Sequence, residues 1–520
     1  MRRLALLAAI VWLLAGLVAC SVSDPTRPAP TSLPALPPVA ATPADGRPLR
    51  PVPDVAVPGL VDPPAGEGVG RYAGQPLGWT GCGERVQCAS VRAPMDWSEP
   101  DGQALTLALG RIPATAAPRR GSLFVNPGGP GGSGLDYLRF FDTTGLEQYD
   151  VVGWDPRGVG RSTPVACSDD DALDRLFSVD SSPDDAAEAA TLNTVVAGFG
   201  ADCLARSGRL LEHISTADTV RDLELLRTLV GDERLHYFGS SYGTQIGAQY
   251  AETYPRRTGE IVLDGAVDLG DDSSVRQLEG FEVALGHFAD WCVEQRCRLG
   301  SGRDEVLNQV ADLLGRLDSR PLPGAEGRPL TQQLGVSGVV YPLYAGRSGW
   351  PRLAAALQDA ALSDDGRALL TLADAANDRS TEGRYTQFAA AFPAIRCLDS
   401  QDTSVTRAVR DAAALVRRAP VLGPYAGPDV VCPLWPVAPA PAPREIDGAG
   451  VAKPLVVIGT TGDPATPYAW AQEMTAQLSS AVLITHAGEG HLAYDKSPCV
   501  RALVRAYLID GQTPPASSRC

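Results

Sequence analysis

The chain has 520 residues, 61 of them acidic and 45 basic, for a formal net charge of -16; 44% are hydrophobic and 20% charged. This is the composition of a globular protein with room for more than one domain, not of a disordered or fibrous one. The acidic surplus argues against a nucleic-acid partner, because binding phosphate needs a basic face that displaces counterions.

The first predicted element is a targeting segment. Arg2 and Arg3 precede an apolar run from Leu4 to Ala19. The run is shorter than the ~20 residues that span a bilayer, and it has the form of a signal-peptide core. Residues 1–19 are therefore read as a signal peptide. It ends in Leu17, Val18, Ala19 and Cys20, a pattern similar to the bacterial lipobox, in which cleavage exposes the cysteine for lipid attachment. The alternative is an ordinary secretory signal that ends near a cysteine. The lipobox reading makes this an extracytoplasmic chain, held to the cell membrane in the envelope through lipid on Cys20. Residues 21–65 contain 13 prolines and no aromatic residue, so 20–65 is expected to be an extended Pro-rich tether.

Strand-like and helix-like runs alternate from Arg71 onward. Apolar runs rich in β-formers occur at 105–112, 122–126, 149–155, 235–239, 260–264, 454–459 and 481–485. Helical patterns lie at 186–205 and 219–229, the second with Thr216 or Asp218 as N-cap. This alternation predicts an α/β fold with a mostly parallel sheet. It stops after Asp264. Residues 266–445 are helix-patterned and close with the Pro-rich stretch 433–443, after which strand signals return. The expected organisation is a core over 66–265, an inserted helical cap over 266–445, and the rest of the core over 446–520.

The chemistry gathers at a few motifs. Gly239-Ser240-Ser241-Tyr242-Gly243 follows a strand run and opens a helix run, the context that a nucleophile elbow requires. The sharp turn exposes the Ser241 hydroxyl and tolerates only small residues two positions away on either side. Upstream, Asn126 to Gly134 read NPGGPGGSG. A loop this rich in glycine lets backbone N–H groups approach a developing oxyanion, and Gly129 with Tyr242 are the expected donors. The loop lacks the lysine and hydroxyl residue of a phosphate-binding loop. Of the five histidines, His491 lies in a loop past the last strand run, whereas His486 is at the strand end, and His491 is the expected base. Asp463, after the run 454–459, is the expected acid, with Asp264 the other strand-terminal candidate. The stretch Trp154 to Ser162 is read as a structural turn held by Arg161 or by an Asp155–Arg157 pair.

Ten cysteines remain besides Cys20. An even number in an exported chain suggests disulfides, and pairing of neighbours gives 82–88, 167–203, 292–297, 397–432 and 499–520. No spacing suits zinc, and no metal or organic cofactor is implied.

Taken together, NPGGPGGSG, WDPRGVGRS, GSSYGT, VLDGAVD, GDPATP and GEGH resemble the α/β-hydrolase serine peptidases of the prolyl-aminopeptidase type. Within that group the likeness is greatest to actinobacterial tripeptidyl aminopeptidases and mycobacterial lipoprotein carboxylesterases. The resemblance implies an α/β-hydrolase fold with a large inserted helical cap and a Ser241–Asp463–His491 triad. It also implies a peptide or ester substrate: release of short peptides, tripeptides among them, from free N-termini, or a carboxylesterase or lipase activity. Members bind the substrate ammonium with acidic cap residues. Glu279, Glu282 and Glu294 lie in the right region without matching a motif.

Overall fold

The computed structural model describes residues 47–270, 273–441 and 445–520, with side chains of 273–275 left out. Cys20 and the expected signal peptide lie outside the described residues. The strands in chain order are β1 (Leu60–Val61), β2 (Thr80–Gly81), β3 (Gln87–Pro94), β4 (Ala104–Ile112), β5 (Gly121–Asn126), β6 (Tyr149–Trp154), β7 (Leu235–Ser240), β8 (Thr258–Asp264), β9 (Leu322–Pro323), β10 (Pro329–Leu330), β11 (Leu455–Gly462), β12 (Ala481–Glu489) and β13 (Ser518–Arg519). One sheet runs β13-β12-β11-β8-β7-β5-β6-β4-β3-β2, with β1 on β4. It is parallel from β13 to β6, and β4, β3, β2 and β1 add an antiparallel edge.

Every residue of β5, β6 and β8 is buried, as expected of parallel strands covered on both faces. Alternate residues take opposite sides. Phe124, Trp154 and Tyr237 join one core with Phe199, Leu223 and Ile246 of the helices Ala186–Ser207, Thr216–Leu229 and Gly243–Thr253. Leu123, Val125 and Phe238 join the other with Val500, Val504 and Tyr507 of the helix Pro498–Asp510. The period of two thus produces a three-layer sandwich.

Between β8 and β11 the chain is mainly helical. The helices Ser273–Glu294, Arg303–Ser319, Gln332–Val340, Trp350–Ser363 and Arg367–Ala376 share their own core, with Leu285, Phe288, Leu314, Trp350 and Leu369 buried in it. A short ribbon of β9 and β10 sits among them. The later helix Phe388–Asp399 packs instead into the first sheet core, through Ala391, Ile395 and Leu398.

Three expectations are corrected. The tether expected over 20–65 does not hold for residues 47–65, which lie on the fold. The Arg47 guanidinium donates to the carbonyls of Cys397, Ser400, Asp402 and Val437, Val57 is buried, and Leu60–Val61 pair with β4. The N-cap of Thr216–Leu229 is Ser215, whose hydroxyl accepts the Asp218 N–H, rather than Thr216 or Asp218. The strand β12 continues to Glu489, so His486 lies within it, paired with Thr460. The five neighbour disulfides are all formed.

Candidate active site

The turn after β7 carries Ser241 at φ 55°, a left-handed backbone that costs a non-glycine residue energy and persists only where the surroundings impose it. The glycines on either side explain the imposition. A Cβ on Gly239 would lie 2.3 Å from the Gly243 carbonyl oxygen, and one on Gly243 would lie 2.9 Å from Asn126 Oδ1. The Ser241 N–H donates to the Asp264 carbonyl at 2.8 Å, tying the elbow to the end of β8.

The glycine loop after β5 presses on this elbow. A Cβ on Gly128 would meet the Ser240 carbonyl oxygen at 2.4 Å and the Tyr242 nitrogen at 2.8 Å. Asn126 Oδ1 accepts the Gly128 N–H at 2.9 Å, which fixes the loop's first turn. Among the described residues the backbone N–H groups of Tyr242 and Gly129 have no protein acceptor. They differ in this from Gly128 and Gly132, whose N–H groups are both engaged.

Asp463 and His491 arrive from neighbouring parallel strands, where Gly462 of β11 pairs with Glu489 of β12. His491 Nδ1 lies 2.9 Å from both carboxylate oxygens of Asp463. Oδ1 of Asp463 also accepts the N–H groups of Ala465 and Thr466, at 3.0 and 2.9 Å, and Oδ2 that of Leu492 at 3.1 Å. Burial alone would raise this carboxyl. The facing imidazole and the Thr466 and Leu492 N–H groups hold it below the ordinary carboxylate range.

The other strand-end acid, Asp264, accepts the N–H groups of Ala493 and Tyr494 at 2.8–3.1 Å. It therefore shapes the loop just past His491, and burial pushes its carboxyl up to about 6. Gly265 beside it comes so close to the imidazole that a Cβ would sit 3.2 Å from His491 Cε1. The elbow thus bonds to Asp264 and the imidazole lies against the next residue, Gly265. Among the described residues, the side-chain hydrogen bonds of His491 are made by Nδ1, to Asp463 and Thr466, and none joins it to Ser241. Catalytic contacts of this kind commonly tighten only with substrate bound.

The helical region roofs the site. The Tyr344 carbonyl accepts the His491 N–H at 2.8 Å, and the two rings meet edge to face at 5.6 Å. Phe388 approaches Gly129, and Ala391 approaches Gly131. Thr216 links Asp399 to the elbow: its N–H and hydroxyl donate to the carboxylate at 2.9 and 2.5 Å, and its hydroxyl also bonds that of Tyr242. No motif announces these contacts, since Thr216 and Asp399 lie 183 positions apart.

Other sequence candidates have structural partners. Arg157 pairs with Asp222 at 2.6 Å, both fully buried, and not with Asp155. Asp155 instead accepts Ser133 Oγ and the Leu135 and Arg161 N–H groups, so the expected Asp155–Arg157 pair is absent. His236 meets Glu260 at 2.6 Å. Glu282 accepts the Val421 and Leu422 N–H groups and Glu279 pairs with Arg418, so neither acid is left without a structural partner.

The chain is 34% identical over 481 residues to the serine protease Hip1 of Mycobacterium tuberculosis, covering 86% of this chain and 91% of the relative. Residues 121–301 match the family model described as alpha/beta hydrolase fold. The chain belongs to the α/β-hydrolase family. Its residues 419–520 match a second model, TAP-like protein. The hydrolase is also 35% identical over 500 residues to carboxylesterase B of Mycobacterium tuberculosis, covering 90% of this chain and 95% of the relative. Against the tripeptidyl aminopeptidase of Streptomyces lividans it is 30% identical over 486 residues, with 86% and 87% covered. These relatives make it a serine hydrolase of the α/β-hydrolase serine-peptidase kind.

Proposed function

We propose that Ser241, His491 and Asp463 act as the catalytic triad of an exopeptidase that releases short peptides, tripeptides among them, from free N-termini. The observation that carries this reading is the Asp463–His491 pair, whose imidazole lies against Gly265, next in the chain to the Asp264 that holds the elbow of Ser241. Asp463 accepts the Nδ1 proton of His491, which leaves Nε2 as the base. Nε2 takes the Ser241 hydroxyl proton as Oγ bonds to the scissile carbonyl carbon. The carbonyl oxygen gains the negative charge, and the Tyr242 and Gly129 N–H groups stabilise it. Collapse breaks the C–N bond, and His491 returns the proton to the departing amine. Water then repeats the sequence on the acyl-enzyme and frees Ser241.

Similarity to a tripeptidyl aminopeptidase supports the peptide substrate. Similarity to carboxylesterase B supports a second reading, in which the same groups cleave envelope or exogenous esters. The lipobox-like sequence supports a chain anchored to the membrane through lipid on Cys20. Loss of membrane retention in a Cys20→Ser chain would test that anchor.

The deciding experiment compares kcat/KM on a tripeptide anilide with a free N-terminus against its N-acetylated form. A p-nitrophenyl ester serves as reference and Ser241→Ala as blank. A strong preference for the free amine is expected. Good ester turnover with no anilide turnover would move the assignment to an esterase, and full activity of Ser241→Ala would remove Ser241 as the nucleophile.

A further inference from the structure

The helix Val405–Arg418 faces two ways. Ala408 and Leu415 are buried. On the outer side Val409 and Val416 are 53% and 45% exposed, and Ala413 between them is exposed as well. Spacings of four and three residues put the three on one ridge. Arg410 and Arg417 each follow a valine by one position and are exposed. Neither pairs with a carboxylate among the described residues, and Arg417 reaches only the Ala413 carbonyl of its own helix. The helix holds four arginines and one aspartate in a chain whose net charge is -16. A helix on a soluble surface ordinarily turns polar groups outward. An apolar ridge with arginines along its flank is the pattern of a helix lying on an anionic bilayer.

The entry of the chain points the same way. The guanidinium of Arg47, the first described residue, donates to the carbonyls of Ser400 and Asp402. These lie immediately before Ser404, whose hydroxyl caps the basic helix. The segment running back to Cys20 therefore joins the fold beside the start of this helix. Its 26 residues, 21–46, would reach roughly 80 Å at the polyproline rise of about 3.1 Å per residue.

We propose that the outer face of Val405–Arg418 docks on an anionic lipid surface. The choice of which side faces the bilayer rests on the lipid-anchor reading; the affinity of the face does not. The test uses the processed chain beginning at Ser21, without lipid, sedimented with vesicles of phosphatidylglycerol and phosphatidylcholine. It should bind these vesicles, release from them as NaCl rises, and ignore phosphatidylcholine alone. Val409→Asp with Val416→Asp, and separately Arg410→Glu with Arg417→Glu, should each weaken binding by about tenfold or more. Ester turnover in solution should stay unchanged, since none of the four residues touches the site. Equal binding by the parent chain and both variants would overturn the proposal, as would no binding to anionic vesicles. Loss of turnover on a long peptide without vesicles, beside unchanged vesicle binding, would assign the face to substrate polypeptide instead. Vesicle binding that persists although Cys20→Ser leaves retention in cells unaltered would remove the anchor and leave the docking face standing.

Discussion

Replacing Asp463 by Asn tests the base and its orientation together. Oδ1 of Asp463 already receives two backbone N–H donors, from Ala465 and Thr466. An amide nitrogen there would face both donors, so the Asn oxygen must take the Oδ1 place and the NH2 group the Oδ2 place. That side faces the Leu492 N–H and His491 Nδ1. His491 Nδ1 lies 2.9 Å from both positions, and where the NH2 group donates to it the imidazole proton moves onto Nε2, the atom proposed to accept the Ser241 proton. Leu492 also loses its acceptor, at a cost of about 1–3 kcal/mol in stability. The wrong tautomer is expected to lower kcat about 10,000-fold, or ~5.5 kcal/mol of barrier, with KM changed by no more than a few-fold. Steady-state kinetics on a p-nitrophenyl ester, with thermal unfolding to show that the fold survives, measure both terms. Activity within about tenfold of the parent in a folded Asp463→Asn protein would refute the argument.

Gly128→Ala should cost about 100-fold or more in kcat, because its Cβ meets backbone atoms of the elbow that cannot yield and must displace the oxyanion donors; unchanged kinetics would contradict the packing of loop on elbow. Asp264 titrates at about 6 when folded and near 4 when unfolded, so between those values the native state holds a proton that the unfolded chain has released. Stability from this group is therefore full below pH ~4 and falls as pH rises to ~6, by up to about 3 kcal/mol. Denaturant titrations across that range should show the slope, and Asp264→Asn should flatten it. Arg157→Met strands the buried Asp222 carboxylate and should destabilise the fold by about 3–5 kcal/mol, a loss that an unaltered denaturation midpoint would disprove. Arg47→Ala unpairs carbonyls at the end of Phe388–Asp399 and should cost about 1–3 kcal/mol, read by the same titration.

The seven strand runs were legible because each is continuous and largely apolar, six of them parallel strands and one, β4, antiparallel, and their ends shift by no more than four residues. The elbow was legible because its glycines are a local steric requirement, and the disulfides because each links one cysteine to the next along the chain. The strand β3 escaped notice: its residues from Gln87 to Pro94 mix polar with apolar at the edge of the sheet, with no buried run to reveal it. The Pro-rich segment was misread from residue 47 on for a different reason. Its composition does suit a tether, and what fastens it is tertiary: an arginine meeting carbonyls some 350 positions away, and a strand pairing with β4. The same holds for Arg157, whose partner lies 65 residues on rather than two. Within a window of sequence, charge pairing across such distances leaves no trace. The roof of the site is hidden likewise, since Phe388 and Tyr344 reach it by tertiary packing alone.

The order of the site along the chain has a consequence for the cell that makes this hydrolase. Ser241 and its elbow precede the whole helical region, whereas Asp463 and His491 follow it, just past β11 and β12. A ribosome that stalls, or a protease that trims the growing polypeptide before its final strands, leaves the proposed nucleophile without its proposed proton acceptor. With the proposed triad, competence to hydrolyse arrives only with the last portion to be translated.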